Sequence, residues 1–146
     1  MLNERCQVTT SLDAKGRLAL PAKLRHKLEE QGIDALVLTC DVDGGLKGFT
    51  LDYWQEHVEG PMRNRSPFDR SAQPYLYAIL ADAEDVSVDR QGRMRVPARL
   101  RGRAGLEREL VFVSIMDWIE LWEPQAWEAR QSRARHAYDS QQSGNG

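Results

Sequence analysis

The feature that most constrains the fold of this chain is an internal repeat. Residues 13–25 read DAKGRLALPAKLR and residues 89–101 read DRQGRMRVPARLR, so that seven of thirteen positions are identical. The similarity continues more weakly downstream of each segment, in the same order, over some 45 residues. Agreement over such a length indicates that one supersecondary unit occurs twice. The chain is therefore predicted to contain two copies of one unit.

Each copy opens with a predicted turn. An Asp at the first position and a Gly at the fourth are typical of a type I turn that ends in the left-handed conformation. The Asp has two candidate roles: its carboxylate can accept backbone N–H groups across the turn, or it can brace the following Arg by a charge-assisted hydrogen bond. The predicted turn-forming residues are Asp13, Gly16, Asp89 and Gly92.

A short strand and a helix follow each turn. In residues 17–20 and 93–96 apolar side chains alternate with others, which predicts a strand with one buried face. Pro21 and Pro97 cannot continue a central strand, but they fit the first turn of a helix. Two more short strands then complete a predicted unit of about 48 residues, in the order strand, turn, strand, helix, strand, strand.

Neither copy is large enough to bury much apolar surface alone, because domains of about 50 residues are marginal without a disulfide or a metal. The two copies are therefore expected to pack about a pseudo-two-fold axis into one shared, barrel-like core. The predicted fold class is mainly β with short helices, that is, α+β. Residues 59–71 resemble a linker, and the segment after them has an apolar face at helical spacing that is expected to pack across the two units, formed by Tyr75, Leu76, Ile79 and Leu80.

Charge is distributed unevenly along the chain. The 20 basic and 22 acidic residues give a net charge of −2, which by itself disfavours nucleic acid as a partner. Residues 13–27 and 89–103, however, hold eleven basic and two acidic residues, whereas the rest of the chain holds nine basic and 20 acidic ones. These basic residues are either solvated surface or a DNA-binding site, because a basic turn flanked by Arg-bearing strands can enter the major groove. The candidate DNA-binding residues are Lys15, Arg17, Arg90, Arg93 and Arg95.

No residue pattern indicates catalysis or a cofactor. His26, His57 and His136 are scattered, without a second ligand at the spacing of a metal site, and no Gly-rich phosphate loop or nucleophile motif is present. Cys6 and Cys40 form neither a disulfide framework nor a metal knuckle. We therefore expect a cytoplasmic protein without enzyme activity, cofactor, metal, membrane span or evident small-molecule ligand.

The doubled segment resembles the MraZ family, the bacterial transcriptional regulators of the division and cell wall gene cluster. LDAKGRLALPAKLR and VDRQGRMRVPARLR lie about 76 residues apart in the order typical of that family. The later aromatic residues also fit the family: Phe49, Trp54, Trp122 and Trp127. The resemblance covers roughly residues 7–130.

The resemblance implies a tandem pair of AbrB-like (SpoVT-AbrB) domains that form a swapped-hairpin barrel. The implied units are residues 7–54 and 83–126, with a linker and connecting helix at 55–82 and a terminal helical turn and flexible tail at 127–146. In the family the basic residues of the doubled signature contact DNA, and the matching positions here are Lys15, Arg17 and Arg93.

Members of the family form ring-shaped homo-oligomers, lie on the nucleoid and bind short direct repeats upstream of their own operon, usually as repressors. By resemblance, this chain is expected to bind promoter direct repeats in double-stranded DNA as a ring-like homo-oligomer. The alternatives are a protein-interaction module, because AbrB-like units also occur in antitoxins, and an RNA-binding regulator. The short Gln- and Ser-rich tail disfavours the first, and the lack of aromatic residues among the basic strands disfavours the second.

Overall fold

The structure is a computed structural model that describes residues 2–144. The first copy of the repeat comprises β1 (Glu4–Ser11), β2 (Arg17–Ala19), α1 (Ala22–Glu30), β3 (Ala35–Cys40) and β4 (Leu46–Phe49). Between the copies lie α2 (Leu51–Tyr53) and α3 (Gln73–Tyr75). The second copy comprises β5 (Glu84–Ser87), β6 (Arg93–Arg95), α4 (Ala98–Ala104), β7 (Glu109–Met116) and β8 (Trp118–Trp122), and α5 (Pro124–Gly144) follows. The strands are antiparallel and the fold is mainly β with helices, which confirms the predicted α+β class.

Local sequence explains where the helices of the two copies begin. Pro21 and Pro97 are the N-cap residues of α1 and α4, and each has a φ of −56°. α1 buries Leu24 and Leu28, which lie four residues apart on one face. Left-handed Gly32, with a φ of +67°, follows the end of α1. The same short strand–helix connection therefore occurs twice.

The strand order is unchanged when the two copies are exchanged. The larger sheet has the order β1-β7-β8-β4-β3-β5, and β2 pairs with β6 in a two-stranded ribbon. Exchange of the copies replaces β1 by β5, β7 by β3 and β8 by β4, so a pseudo-two-fold axis passes between β4 and β8. β1 pairs with β7 and β5 pairs with β3, so that each copy is completed by a strand of the other.

Strand pairing does not run all the way round this arrangement. Among residues 2–144, β1 and β5 are the edges of the six-stranded sheet and do not pair with each other. The ribbon strands are three residues long and pair with each other, with one isolated bridge between Val88 and Met94. Among residues 2–144 the paired strands thus form a six-stranded sheet with a ribbon packed on its core, and no closed ring of strand pairing is found.

Both copies contribute to one apolar core. Leu18 and Met94 of the ribbon belong to the same buried cluster as Leu24 of α1, Leu100 of α4 and Phe112 of β7. A core shared in this way supplies the burial that neither copy achieves alone.

The connecting segment packs on a second apolar cluster. α2 continues into a π-helical turn, Trp54–Glu59, and a 3-10 turn, Gly60–Met62, and α3 continues into a π-helical turn, Leu76–Leu80. Three residues of the predicted apolar face, Tyr75, Ile79 and Leu80, pack against a cluster formed by Val37, Phe49, Trp54 and Val58, together with Trp118 of the second copy. Most of the predicted apolar face is thus packed on residues of the first copy and the connecting segment, and Trp118 of the second copy packs on the same cluster.

The C-terminal segment differs from the predicted helical turn and flexible tail, because α5 is one helix over Pro124–Gly144. Between these two residues there is no Pro or Gly, and Ala, Arg, Gln and Glu are strong helix formers. Trp127 packs near Trp122, with ring centroids 5.8 Å apart, while the described side chains from Gln131 onward are exposed. Asn145 and Gly146, the end of the predicted tail, lie outside the described residues.

Candidate nucleic-acid interface

A single carboxylate holds the first turn. Asp13 Oδ1 accepts hydrogen bonds from the backbone N–H groups of Lys15 and Arg17, both at 2.9 Å, and Asp13 Oδ2 accepts one from Arg17 Nε at 2.7 Å. Gly16 donates its N–H to the Asp13 carbonyl at 2.9 Å and has a φ of +76°. Both candidate roles of the Asp are therefore filled at once, by different oxygens of one carboxylate.

The second turn repeats this geometry. Asp89 Oδ1 accepts the backbone N–H groups of Gln91 and Arg93, both at 2.9 Å, and Asp89 Oδ2 accepts Arg93 Nε at 3.0 Å. Gly92 donates to the Asp89 carbonyl at 2.9 Å and has a φ of +75°. The two turns thus present their Arg side chains in the same way.

The same hydrogen bonds stabilise the charged form of the two carboxylates and so lower their pKa values. The backbone N–H of Arg17 is the largest cause that lowers the pKa of Asp13 to about 2. The backbone N–H of Arg93 is likewise the largest cause that lowers the pKa of Asp89. Both carboxylates are therefore charged at neutral pH, and each fixes the guanidinium group beside it.

β2 and β6 form a ribbon with one buried face and one open face. Its register pairs are Arg17 with Arg95, Leu18 with Met94, and Ala19 with Arg93. Leu18 and Met94 are fully buried, so the other side chains, which alternate with them, lie on the opposite face. This open face consists of three Arg and one Ala. At about 3.3 Å per residue the ribbon is about 10 Å long, and a two-stranded ribbon fits a major groove about 12 Å wide.

The two turns lie at opposite ends of the ribbon, and each is joined to the other copy. Leu20 at the end of the first copy's strand donates its N–H to the Gly92 carbonyl at 2.9 Å. Val96 of the second copy donates to the Gly16 carbonyl at the same distance of 2.9 Å. The carbonyl of each turn glycine therefore accepts a hydrogen bond from the backbone of the other copy.

Two further Arg side chains cross between the copies. Arg25 of α1 lies against Gly92, and Arg101 of α4 lies against Gly16. Either glycine would need its Arg to move if it carried a Cβ atom. Neither Arg is among the candidate residues predicted from the sequence, although the two occupy matching positions of the repeat, a signal that could have indicated their shared role.

The structure places all five candidate DNA-binding residues on the ribbon or its turns. Lys15 and Arg90 are exposed in the turns, and neither forms an ion pair with a described residue. Arg17 and Arg93 have side chains that are 30% and 32% exposed, and exposed Arg95 donates its Nε to the Lys15 carbonyl at 3.0 Å. Among residues 2–144 the side-chain hydrogen bonds of these three Arg are made through Nε, which leaves the four terminal N–H donors of each guanidinium available for a ligand.

Other basic residues of the two charged windows have structural partners instead. Arg99 forms ion pairs with buried Asp82 and with Glu84, the latter at 2.8 Å. Lys27 forms an ion pair with Glu4 Oε1 at 3.0 Å. These contacts join α4 to the connecting segment and α1 to β1. The charge of the windows therefore overstates the number of basic residues available to a ligand.

Neither a metal centre nor a membrane span is found in the described part of the chain. Within residues 2–144 no three His, Cys, Asp or Glu side chains come together as a set of metal ligands. No helix in that range is both long enough and apolar enough to cross a membrane.

The protein is a tandem repeat whose two copies share strands and together present one cationic surface. This surface consists of the Arg-rich ribbon and the two basic turns braced by Asp. A localised cationic surface of this kind is a feature of nucleic-acid-binding regulators. A family profile described as "MraZ protein, putative antitoxin-like" matches residues 6–73 and 79–143, and each match contains one copy of the repeat. The chain therefore belongs to the MraZ family of transcriptional regulators, which confirms the resemblance.

Two relatives illustrate the similarity. The chain is 38% identical over 122 residues to the transcriptional regulator MraZ of Thermomicrobium roseum, and the match covers 84% of this chain and 82% of the relative. It is 37% identical over 118 residues to the transcriptional regulator MraZ of Lachnoclostridium phytofermentans, covering 81% of this chain and 79% of that protein. The similarity thus extends over most of both chains.

Proposed function

We propose that this protein is a sequence-specific regulator that binds double-stranded DNA through the β2–β6 ribbon and its two turns. The observation that carries the proposal is the open face of the ribbon, on which three of four residues are Arg. Arg17 and Arg93 are held in place by carboxylates at 2.7 and 3.0 Å. A side chain that is already fixed loses less conformational entropy when it binds a ligand.

The five candidate residues divide into two groups by position. Arg17, Arg93 and Arg95 lie on the ribbon, where a guanidinium group can bond O6 and N7 of guanine in a bidentate way. Lys15 and Arg90 lie in the turns, where they bind phosphates and position the ribbon in the groove. The division predicts that the ribbon residues determine sequence preference and that the turn residues determine general affinity.

The rest of the chain limits the contact to this surface. Outside the two charged windows there are nine basic and 20 acidic residues, so the body of the protein repels the DNA backbone. Phosphate contacts release counterions, and the affinity therefore falls as salt concentration rises.

Membership of the MraZ family supports a proposal for the target. We infer that the protein binds short direct repeats upstream of its own division and cell wall operon, in the cytoplasm on the nucleoid, and represses that operon. Units 7–54 and 83–126 each contribute one turn. A ring-like homo-oligomer presents identical ribbons at a fixed spacing, and such linkage raises avidity without new contacts.

A mobility-shift titration with DNA from immediately upstream of the protein's own gene tests the proposal. Arg17→Ala and Arg93→Ala are each expected to lose about 1–3 kcal/mol of binding free energy. Arg70→Ala is the matched control, because Arg70 is an exposed Arg outside the ribbon and its turns. Circular dichroism and gel filtration show whether each variant keeps its fold and assembly. If folded Arg17→Ala and Arg93→Ala bind as tightly as Arg70→Ala, the proposal is wrong.

An antitoxin-type protein-interaction module is the alternative, and α5 is the element on which it would depend. The described residues of α5 beyond Arg130 are exposed, and among them Tyr138 is the single large hydrophobic side chain, 55% exposed. Such a surface offers little apolar area to hold a partner protein. DNA binding that survives removal of residues 131–146 would favour the ribbon over this alternative.

A further inference from the structure

We propose that Arg95, which has no counterpart in the first copy, sets the orientation in which the ribbon reads each of the direct repeats proposed above. The inference rests on the DNA-binding function proposed above. It starts from a difference between the backbone of the ribbon, which obeys the pseudo-two-fold symmetry, and its side chains, which do not.

The open face is symmetric at one position and asymmetric at the other. Exchange of the two copies places Arg17 on Arg93, and both are braced by an Asp. The same exchange places Arg95 on Ala19. One end of the ribbon therefore carries an exposed guanidinium group where the other end carries a methyl group.

The hydrogen bonds to the two turns also differ between the ends of the ribbon. Arg95 donates its Nε–H to the Lys15 carbonyl at 3.0 Å. Arg101 of α4 does not bond that carbonyl and donates its Nε–H to the Val96 carbonyl at 3.0 Å. At the other end Ala19 takes the place of Arg95, and Arg25 of α1 reaches the equivalent carbonyl, that of Gln91, at 3.5 Å. The equivalent carbonyl is thus bonded by a ribbon residue at one end and by a helix residue at the other.

The turns differ as well. Their second and third positions are Ala14 and Lys15 in the first copy but Arg90 and Gln91 in the second. The free cation of the first turn is therefore one position further along the chain than that of the second. The end of the ribbon that carries Arg95 also carries Lys15, and the opposite end carries Arg90.

This asymmetry has a consequence for DNA recognition. A ribbon with identical ends would bind any given element equally well in either orientation, and its preferred element would be palindromic. Here Arg95 can take a guanine on its side, whereas Ala19 can offer only apolar contact to a thymine methyl group on the other. A single ribbon therefore favours a non-palindromic element in one direction. Several ribbons related by rotation then select elements that point the same way.

The test is selection of DNA from a pool of duplexes with a random central stretch, using the full-length protein. The proteins compared are the wild type, Arg95→Ala, Ala19→Arg and the control Arg70→Ala. The wild type and Arg70→Ala are expected to select the same non-palindromic element. Arg95→Ala should lose about tenfold or more of its preference at one base pair while the other positions are kept. Ala19→Arg should gain a preference at the symmetry-related base pair and make the element more nearly palindromic.

The inference would be overturned if Arg95→Ala or Ala19→Arg selected the same DNA element as the wild type. It would also be overturned if the wild type selected a palindromic element. Both positions are exposed, so each variant is expected to fold, and circular dichroism tests this. Failure of the proposed function is distinguishable, because it would leave Arg17→Ala and Arg93→Ala with wild-type affinity. Weakened binding by those two variants, together with an unchanged element for Arg95→Ala, would overturn the orientation alone.

Discussion

Replacement of Gly92 by Ala tests the interlock between the two copies. Gly92 has a φ of +75°, and a residue with a Cβ atom pays about 1–2 kcal/mol in this left-handed region. The new methyl group would also overlap Arg25 Cδ and lie 2.8 Å from Arg25 Cγ. Since Arg25 belongs to α1 of the other copy, its side chain must shift and give up its hydrogen bond to the Gln91 carbonyl.

Gly32→Ala provides a matched control for the backbone strain. Gly32 has a φ of +67°, and no atom lies within 4 Å of the position that its Cβ would take. We expect Gly32→Ala to lower the free energy of unfolding by about 1–2 kcal/mol, from strain alone. Gly92→Ala should lower it by about 2–4 kcal/mol, because overpacking against Arg25 adds about 1–2 kcal/mol.

Urea unfolding followed by tryptophan fluorescence measures both values, since Trp54 and Trp122 are buried. All variants should be compared at one protein concentration, because assembly contributes to apparent stability. The double variant Gly92→Ala/Arg25→Ala should show a coupling of about 1–2 kcal/mol that relieves the clash. The reasoning is refuted if Gly92→Ala costs no more than Gly32→Ala, or if Arg25→Ala brings no relief.

The carboxyl group of Asp13 should titrate near pH 2, because the backbone N–H of Arg17 lowers its pKa. The stabilisation from its hydrogen bonds is therefore complete above about pH 4 and is lost as the pH falls through about 2. A midpoint near pH 4 in a carbon-13 NMR titration would contradict this. Asp82→Ala should lower the free energy of unfolding by about 1–3 kcal/mol, because it leaves Arg99 without its buried partner. The control Asp139→Ala, at an exposed position, should change it little. Equal effects of the two variants in urea unfolding would count against a stabilising ion pair. Met94→Ala should lower the free energy of unfolding by about 2–5 kcal/mol, because it leaves a cavity at a fully buried position. Removal of residues 131–146 should lower it by less than about 0.5 kcal/mol. If thermal unfolding shows the truncation to be the more destabilising change, Met94 does not belong to the core.

The order of the elements was predictable because local chemistry determines it. Asp13 and Gly16 specify a turn wherever they lie in the chain, and Pro21 specifies a helix start. These signals occur again in the second copy, so the same order could be predicted twice. The pairing between copies was not predictable in this way. The register of Arg17 with Arg95 joins residues far apart in the chain, and no local pattern specifies it.

The candidate site was predictable from charge, but its limits were not. Arg99 and Arg95 look alike in sequence, and only the fold shows that Arg99 meets Asp82, 17 residues away. The helical continuation of α5 was missed because an exposed helix carries no apolar periodicity. The contacts of Arg25 and Arg101 depend on the register in which the two copies pair, and no local pattern in the sequence specifies that register.

Hydrogen–deuterium exchange of the full-length protein, with and without DNA from upstream of its own gene, tests the central claim most directly. The proposed interface predicts slower exchange on DNA binding in peptides that cover residues 13–19 and 89–95. Exchange in α5 and in the connecting segment should stay unchanged. Slower exchange in α5 or the connecting segment, with both ribbon peptides unaffected, would contradict the account.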